Sequence, residues 1–185
     1  GRGPVFVAPH ENEVTAIEGA KQLIGRMGGT LVILRHQGTR NVKFVLEGQT
    51  HQFDPNRIFT DEGIRRTLDG SQSEAAVTAV RTLAKAIVSH IGSRQVIALH
   101  NNTNGNYSVL SYQPGSEYAD DALAVYINSE LDPDDFFFIT DRSLFDAMQI
   151  AGFNAVLQSP TATNDGSLSV YAAHRQPQRA DPAPV

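Results

Sequence analysis

Apolar residues recur along this chain with two different periods, and the two alternate. Val14, Ile17, Ala20, Leu23, Ile24 and Met27 follow helical spacing, which predicts a helix from Val14 to Met27 stopped by Gly28-Gly29. A longer stripe of Ala76, Val77, Val80, Leu83, Ala84, Ile87 and Val88 predicts a second helix, capped by Ser73 and running to about Ile91. Short apolar runs stand between these helices. Pro4 to Ala8 reads as a buried strand, Thr30 to Leu34 as a second apolar strand rich in β-branched residues, and Gln95 to Leu99 as the strand that delivers His100. Val42 to Leu46 and Thr50 to Phe53 flank Glu47-Gly48-Gln49, the pattern of a hairpin, and Asp54-Pro55-Asn56-Arg57 breaks it as a loop.

The second half is read in the same way. Asn101 to Asn106 form a polar loop whose length hints at a site rather than a simple turn, Tyr107 to Tyr112 alternate as in a strand, and Asp120 to Asn128 read as a short helix. Phe136 to Thr140 predict a strand, Arg142 to Ala151 a helix and Asn154 to Leu157 a strand. Leu168 to Ala173 predict the last strand. Strands alternating with helices predict a single α/β domain over residues 1–174, with a mostly parallel or mixed central sheet and helices on both faces. The stretch 175–185 is Pro- and Ala-rich without pattern, and a disordered tail is expected there.

Composition removes several function classes. Fifteen basic against twenty acidic residues give 15 − 20 = −5, with no basic stripe interleaved with aromatics, so no nucleic-acid partner is expected. No apolar run approaches membrane-spanning length. The absence of Cys removes disulfides, thiolate zinc sites and Cys nucleophiles. Few Lys beside abundant Asn, Gln, Ser and Thr slightly favour a periplasmic or secreted protein over a cytoplasmic one.

Chemistry enters at the ends of the apolar runs. His10 follows the first strand, and Glu13 stands three residues on, at the start of the first helix. His100 closes the strand from Gln95 to Leu99. In α/β sheets, sites gather beyond the carboxyl ends of strands. Two imidazoles and a carboxylate so placed are a ligand set for a divalent ion of the zinc kind, which takes three protein ligands in catalytic sites and keeps a fourth position open.

A second constellation lies between them. The Arg57 fork binds a carboxylate through parallel hydrogen bonds, and Asn56 adds a donor. Arg35 and Arg40 lie upstream, where either could polarise a carbonyl or stand as a surface charge. Other groupings read as bland: His51 with Asp54 as a strand end, Asp132 to Asp135 as a solvated loop, and Tyr107, Tyr112 and Tyr118 as packing residues. Gly115-Ser116-Glu117 lacks the glycines of a nucleophile elbow, and no glycine-rich phosphate cradle occurs.

His10-x-x-Glu13, then Asn56-Arg57, then His100 at a strand end, in that order, resemble the zinc carboxypeptidase superfamily. That superfamily includes the metallocarboxypeptidases and the succinylglutamate desuccinylase/aspartoacylase branch. The resemblance implies a carboxypeptidase-like fold and zinc held by His10, Glu13 and His100. It implies that Asn56 and Arg57 bind a substrate carboxylate and that Arg40 assists an oxyanion. The expected partner is a peptide or an N-acyl amino acid with a free carboxylate, and the oligomeric state stays open. The family also carries a catalytic Glu on a late strand. In Leu168 to His174 no Glu occurs, and Tyr171 stands where it is expected. Asp165, His174, Glu117 and Glu130 are the substitute candidates for the base. The sequence thus predicts a zinc-dependent amide or peptide hydrolase. Its alternative is a non-catalytic, zinc-containing domain that binds a peptide or carboxylate and lacks the catalytic Glu.

Overall fold

The structure is a computed structural model that describes residues 3–70, 72–102 and 105–175. Of the tail expected over 175–185, Arg175 instead ends a helix, and residues 176–185 lie outside the described residues. The fold is α/β with mixed sheets. Its organising strand is β1 (Val5–Ala8), every residue of which is buried. β1 lies between β2 (Thr30–Ile33) and β5 (Val96–Ala98) and is parallel to both. A strand hydrogen-bonded on both sides and covered on both faces reads as a continuous apolar run, as Val5-Phe6-Val7-Ala8 does.

The parallel register has a direct consequence. Val7 pairs with Ala98, so β1 and β5 end at the same edge of the sheet. The two histidines, each two residues past its strand, leave that edge together. The crossover from β1 to β2 is α1 (Val14–Met27), which buries Ile17 and Ala20 and ends at Gly28 with φ 76°. The hairpin of β3 (Val42–Leu46) and β4 (Gln49–Phe53) forms with its turn at Glu47-Gly48, both at positive φ. α3 (Glu74–Ile91) packs Ala76, Val77, Val80, Ala84, Ile87 and Ile91 into the main core, and Ser73 caps it by accepting from the Ala76 N–H.

Between these lies α2 (Asp61–Thr67), an element that apolar periodicity does not reveal. Its signals are of another kind. The Thr60 hydroxyl accepts from the Gly63 N–H at 3.1 Å, acidic Asp61 and Glu62 stand in the first turn, and Arg65 and Arg66 in the last.

The second half corrects three expectations. Tyr107 to Tyr112 are not a strand: Val109–Tyr112 form a 3-10 turn, because Ser108 and Ser111 exchange side-chain-to-backbone bonds as a capping box. Asp120 to Asn128 are not a helix. Ala119–Asp121 form a short 3-10 turn and Ala122–Tyr126 are β6, antiparallel to β8 (Ala155–Gln158). Burial against the fully buried β8 selects a strand there over local propensity. Leu168 to Ala173 are not a strand but most of α5 (Leu168–Arg175), which opens with the Tyr171 N–H bonded to the Ser167 carbonyl and buries Leu168 and Val170. Nor do the described strands join in one central sheet. They form β2-β1-β5, the β3-β4 hairpin and β6-β8-β7, where β7 (Phe137–Ile139) is parallel to β8 and followed by α4 (Arg142–Ile150).

Candidate metal centre

His10, Glu13 and His100 converge. Each offers a donor atom, and the three donor atoms lie within 4.8 Å of one another. His10 Nδ1 is 2.9 Å from Glu13 Oε1, and His100 Nδ1 is 3.3 Å from Glu13 Oε2. Two donors sharing one tetrahedral zinc stand about 3.4 Å apart, given bonds of about 2.1 Å. His10 and Glu13 are buried, whereas His100 is partly open to solvent. The imidazole rings tilt against each other at 5.1 Å between centroids.

The test of fit is the state of the donor atoms. His10 Nδ1 approaches Glu13 too obliquely for a hydrogen bond, and both it and Glu13 Oε2 are buried without a hydrogen-bond partner. Leaving such groups unpaired costs free energy, and a cation between them would satisfy both. The opposite nitrogen of His10, Nε2, is 2.8 Å from Asp54 Oδ1. As a donor to that carboxylate it leaves Nδ1 with its lone pair toward Glu13, the arrangement that a carboxylate gives to a ligating histidine. The residues present therefore fit a divalent ion.

The electrostatics agree in direction. Burial works to raise the Glu13 carboxyl, but contacts with His10 and His100 outweigh it and hold its pKa at about 2. Burial likewise opposes the charged form of Asp54, and the bond to His10 prevails, so its carboxyl lies well below the usual range. Both stay anionic at neutral pH. Burial works against a charged His10, yet the bond to Asp54 and the negative charges of Asp54 and Glu13 beside the ring raise its pKa overall. Two fixed negative charges around one buried ring make a site that holds positive charge.

Arg40 reaches the centre from the loop after β2. Its Nη1 donates to Glu13 Oε1 at 2.9 Å and its Nη2 to Asp54 Oδ2 at 3.4 Å, while half of the side chain stays exposed. That loop is fixed by Glu11, whose Oε2 accepts from the backbone N–H groups of His36 at 2.6 Å and Gly38 at 2.8 Å. Of the two upstream arginines, it is Arg40 that reaches the cluster.

Asn56 and Arg57 stand on the far side. Asn56 Oδ1 accepts from the Leu168 N–H at 3.2 Å, which orients its amide nitrogen toward His100 Nε2 at 3.3 Å. Arg57 Nη1 donates to the Asn56 carbonyl, and Nη2 pairs with Asp165 Oδ2 at 3.4 Å. The loop bearing Asp165 is clamped to this one: the Phe59 N–H donates to the Gly166 carbonyl, and Gly63 and Gly166 both lie where a Cβ would collide with the Arg57 carbonyl. The loop that carries Asn56 and Arg57 is therefore held in place, and its Arg fork is partly exposed.

Tyr171 is placed differently from the expectation of a strand face toward the metal. On α5 its ring lies 5.9 Å from that of Phe59, and its hydroxyl accepts from Arg175 Nη1 at 2.9 Å. Among the other candidates for a base, Asp165 is paired with Arg57. The contact of Asp54 with His10 and the bonds of Glu11 and Asn101 are not legible in the residue order. For Asp54 the signal is its place in the Asn56-Arg57 loop, and for Asn101 its place in a polar loop long enough to hint at a site; Glu11 has none beyond adjacency to His10.

Comparison with known proteins finds no matching family model, no matching curated protein and no matching solved structure.

Proposed function

We propose that this chain carries a zinc-type centre of a hydrolase that cleaves an amide or peptide bond near a substrate carboxylate, with a ligand set like that of the zinc carboxypeptidases. The observation that carries this reading is the convergence of His10, Glu13 and His100 with two buried donor atoms left unpaired. His10, Glu13 and His100 would hold the ion. When bound, it supplies Lewis-acid polarisation of a carbonyl and a more acidic water. Asp54 orients His10 and keeps the centre negative. Arg40, partly exposed beside Glu13, offers guanidinium N–H groups to a developing oxyanion. Arg57, held by the Asn56 carbonyl and Asp165, offers its remaining N–H groups to a carboxylate. A peptide or an N-acyl amino acid fits this pair of charges.

Metal analysis of the protein, followed by assay on N-acyl amino acids and short peptides, tests the proposal. One bound zinc and turnover that a chelator abolishes are the expected results. A protein that takes up no zinc would sink it.

A second reading has its own supporting observation. Glu13 and Asp54 are both committed to histidines and Arg40, and Tyr171 packs on Phe59 as part of a helix. A domain with the ion and the carboxylate clamp, but no base, would bind carboxylate-ended peptides without cleaving them. Zinc uptake and carboxylate-dependent peptide binding with no turnover would select this reading. Tyr171→Glu, which leaves the new carboxylate on the α5 packing face, is not expected to create activity.

A further inference from the structure

The start of α1 has an unusual division of labour. Glu13 stands at the N-cap position, yet its side chain makes no cap hydrogen bond, because its carboxylate faces His10, His100 and Arg40. The first N–H groups of a helix have no partner within it, and the cap side chain ordinarily serves the third residue. Here that N–H belongs to Ala16, and it donates at 2.9 Å to Oδ1 of Asn101, eighty-five positions away. Asn101 is the residue after His100. One short hydrogen bond thus ties the element that presents Glu13 to the segment that presents His100.

We infer that Asn101 is a positioning residue for the metal centre: by capping α1 from the β5 loop, it fixes the distance between His100 and Glu13. The inference rests on the proposed metal centre. The backbone around the two ligands is otherwise restrained from the sheet side, where the Leu99 N–H bonds to the Val7 carbonyl. That bond sets how β5 lies along β1. It does not set how the peptide beyond Leu99 approaches the helix end, and the Asn101 bond does. Its neighbour Asn102 continues the restraint, donating from Nδ2 to the Asp134 carbonyl at 2.9 Å. Asn101 itself is exposed, so its loss leaves no buried cavity.

The test uses the whole chain, zinc alone as the probe, and two variants. Asn101→Ala should lower zinc affinity about ten- to a hundredfold, the usual effect of losing a residue that orients a ligand. Its circular dichroism should match the parent, while amide exchange at Ala16 in the zinc-free protein should speed up. Asn101→Asp keeps the acceptor and should return both the affinity and the Ala16 protection. Zinc affinity within twofold of the parent in Asn101→Ala overturns the inference. Affinity recovered in Asn101→Asp with Ala16 still unprotected also overturns it, since charge alone would then account for the gain. A parent chain that binds no zinc, with Ala16 protected by Asn101 all the same, removes the metal centre itself. That failure is distinct from the first two.

Discussion

At the scale of single residues, the centre is a set of side chains that each answer to more than one partner. Glu13 faces both histidines and Arg40, and Asp54 faces His10 and Arg40. Glu11 acts on the backbone instead. Glu11→Ala should speed amide exchange at His36 and Gly38, whose N–H groups its carboxylate accepts, while exchange in α3 stays unchanged. Unaltered exchange at both amides would show that the loop holds itself. Arg57→Ala should weaken a carboxylate-bearing ligand far more than its amidated form. A lost charge-assisted pair is worth roughly 1.5–3 kcal/mol, or about ten- to a hundredfold in affinity. Titration of both ligand forms against both proteins reads this directly, and equal weakening would remove the clamp role.

At the scale of elements, two glycines in helices separate packing from propensity. A Cβ on Gly63 of α2 would meet the Arg57 carbonyl oxygen at 2.5 Å and the Gly166 Cα at 2.6 Å, both backbone atoms that cannot swing aside. Gly63→Ala should therefore cost about 1–3 kcal/mol through overpacking. At about 2–4 °C per kcal/mol for a chain of this size, calorimetry should find a melting temperature several degrees lower. The same change should also move Arg57, because the carbonyl in the way is its own. Gly25 in α1 is the opposite case, with nothing within 4 Å of a built Cβ. Gly25→Ala should stabilise by about 0.5–1 kcal/mol, since only backbone entropy and helix propensity change. A loss of stability there would mean that the end of α1 is strained.

At the scale of the molecule, the centre joins β1, α1, the β4–α2 loop and the segment after β5, elements far apart in sequence. A ligand that bridges them holds the native state and not the unfolded chain. Zinc at a hundred times its dissociation constant should add about 2.7 kcal/mol, or a rise of about 5–11 °C in melting temperature at the conversion above. A chelator should reverse the shift, and His100→Ala should abolish it. A melting temperature indifferent to zinc in the parent chain would mean that the ion does not bridge these elements.

The sequence by itself determined the parts whose signal is local. The apolar spacing of α1 and α3, the buried run of β1, the apolar runs of the half-buried β2 and β5, the hairpin turn at Glu47-Gly48, and the placing of His10, Glu13 and His100 at element ends are all legible from residue order. That the three candidate donor groups approach to within 4.8 Å follows from parallel strands ending at one edge, which the pattern anticipates without measuring. Tertiary structure decided the rest. β6 is a strand because β8 offers it a buried partner, and α5 is a helix because Ser167 starts one and the core receives Leu168 and Val170. Tyr171 left the expected strand face for the same reason, since helical geometry turns its ring onto Phe59. The roles of Asp54, Glu11 and Asn101 are contacts across 44, 25 and 85 positions, and hydrogen bonds of that reach leave no periodic mark in a sequence.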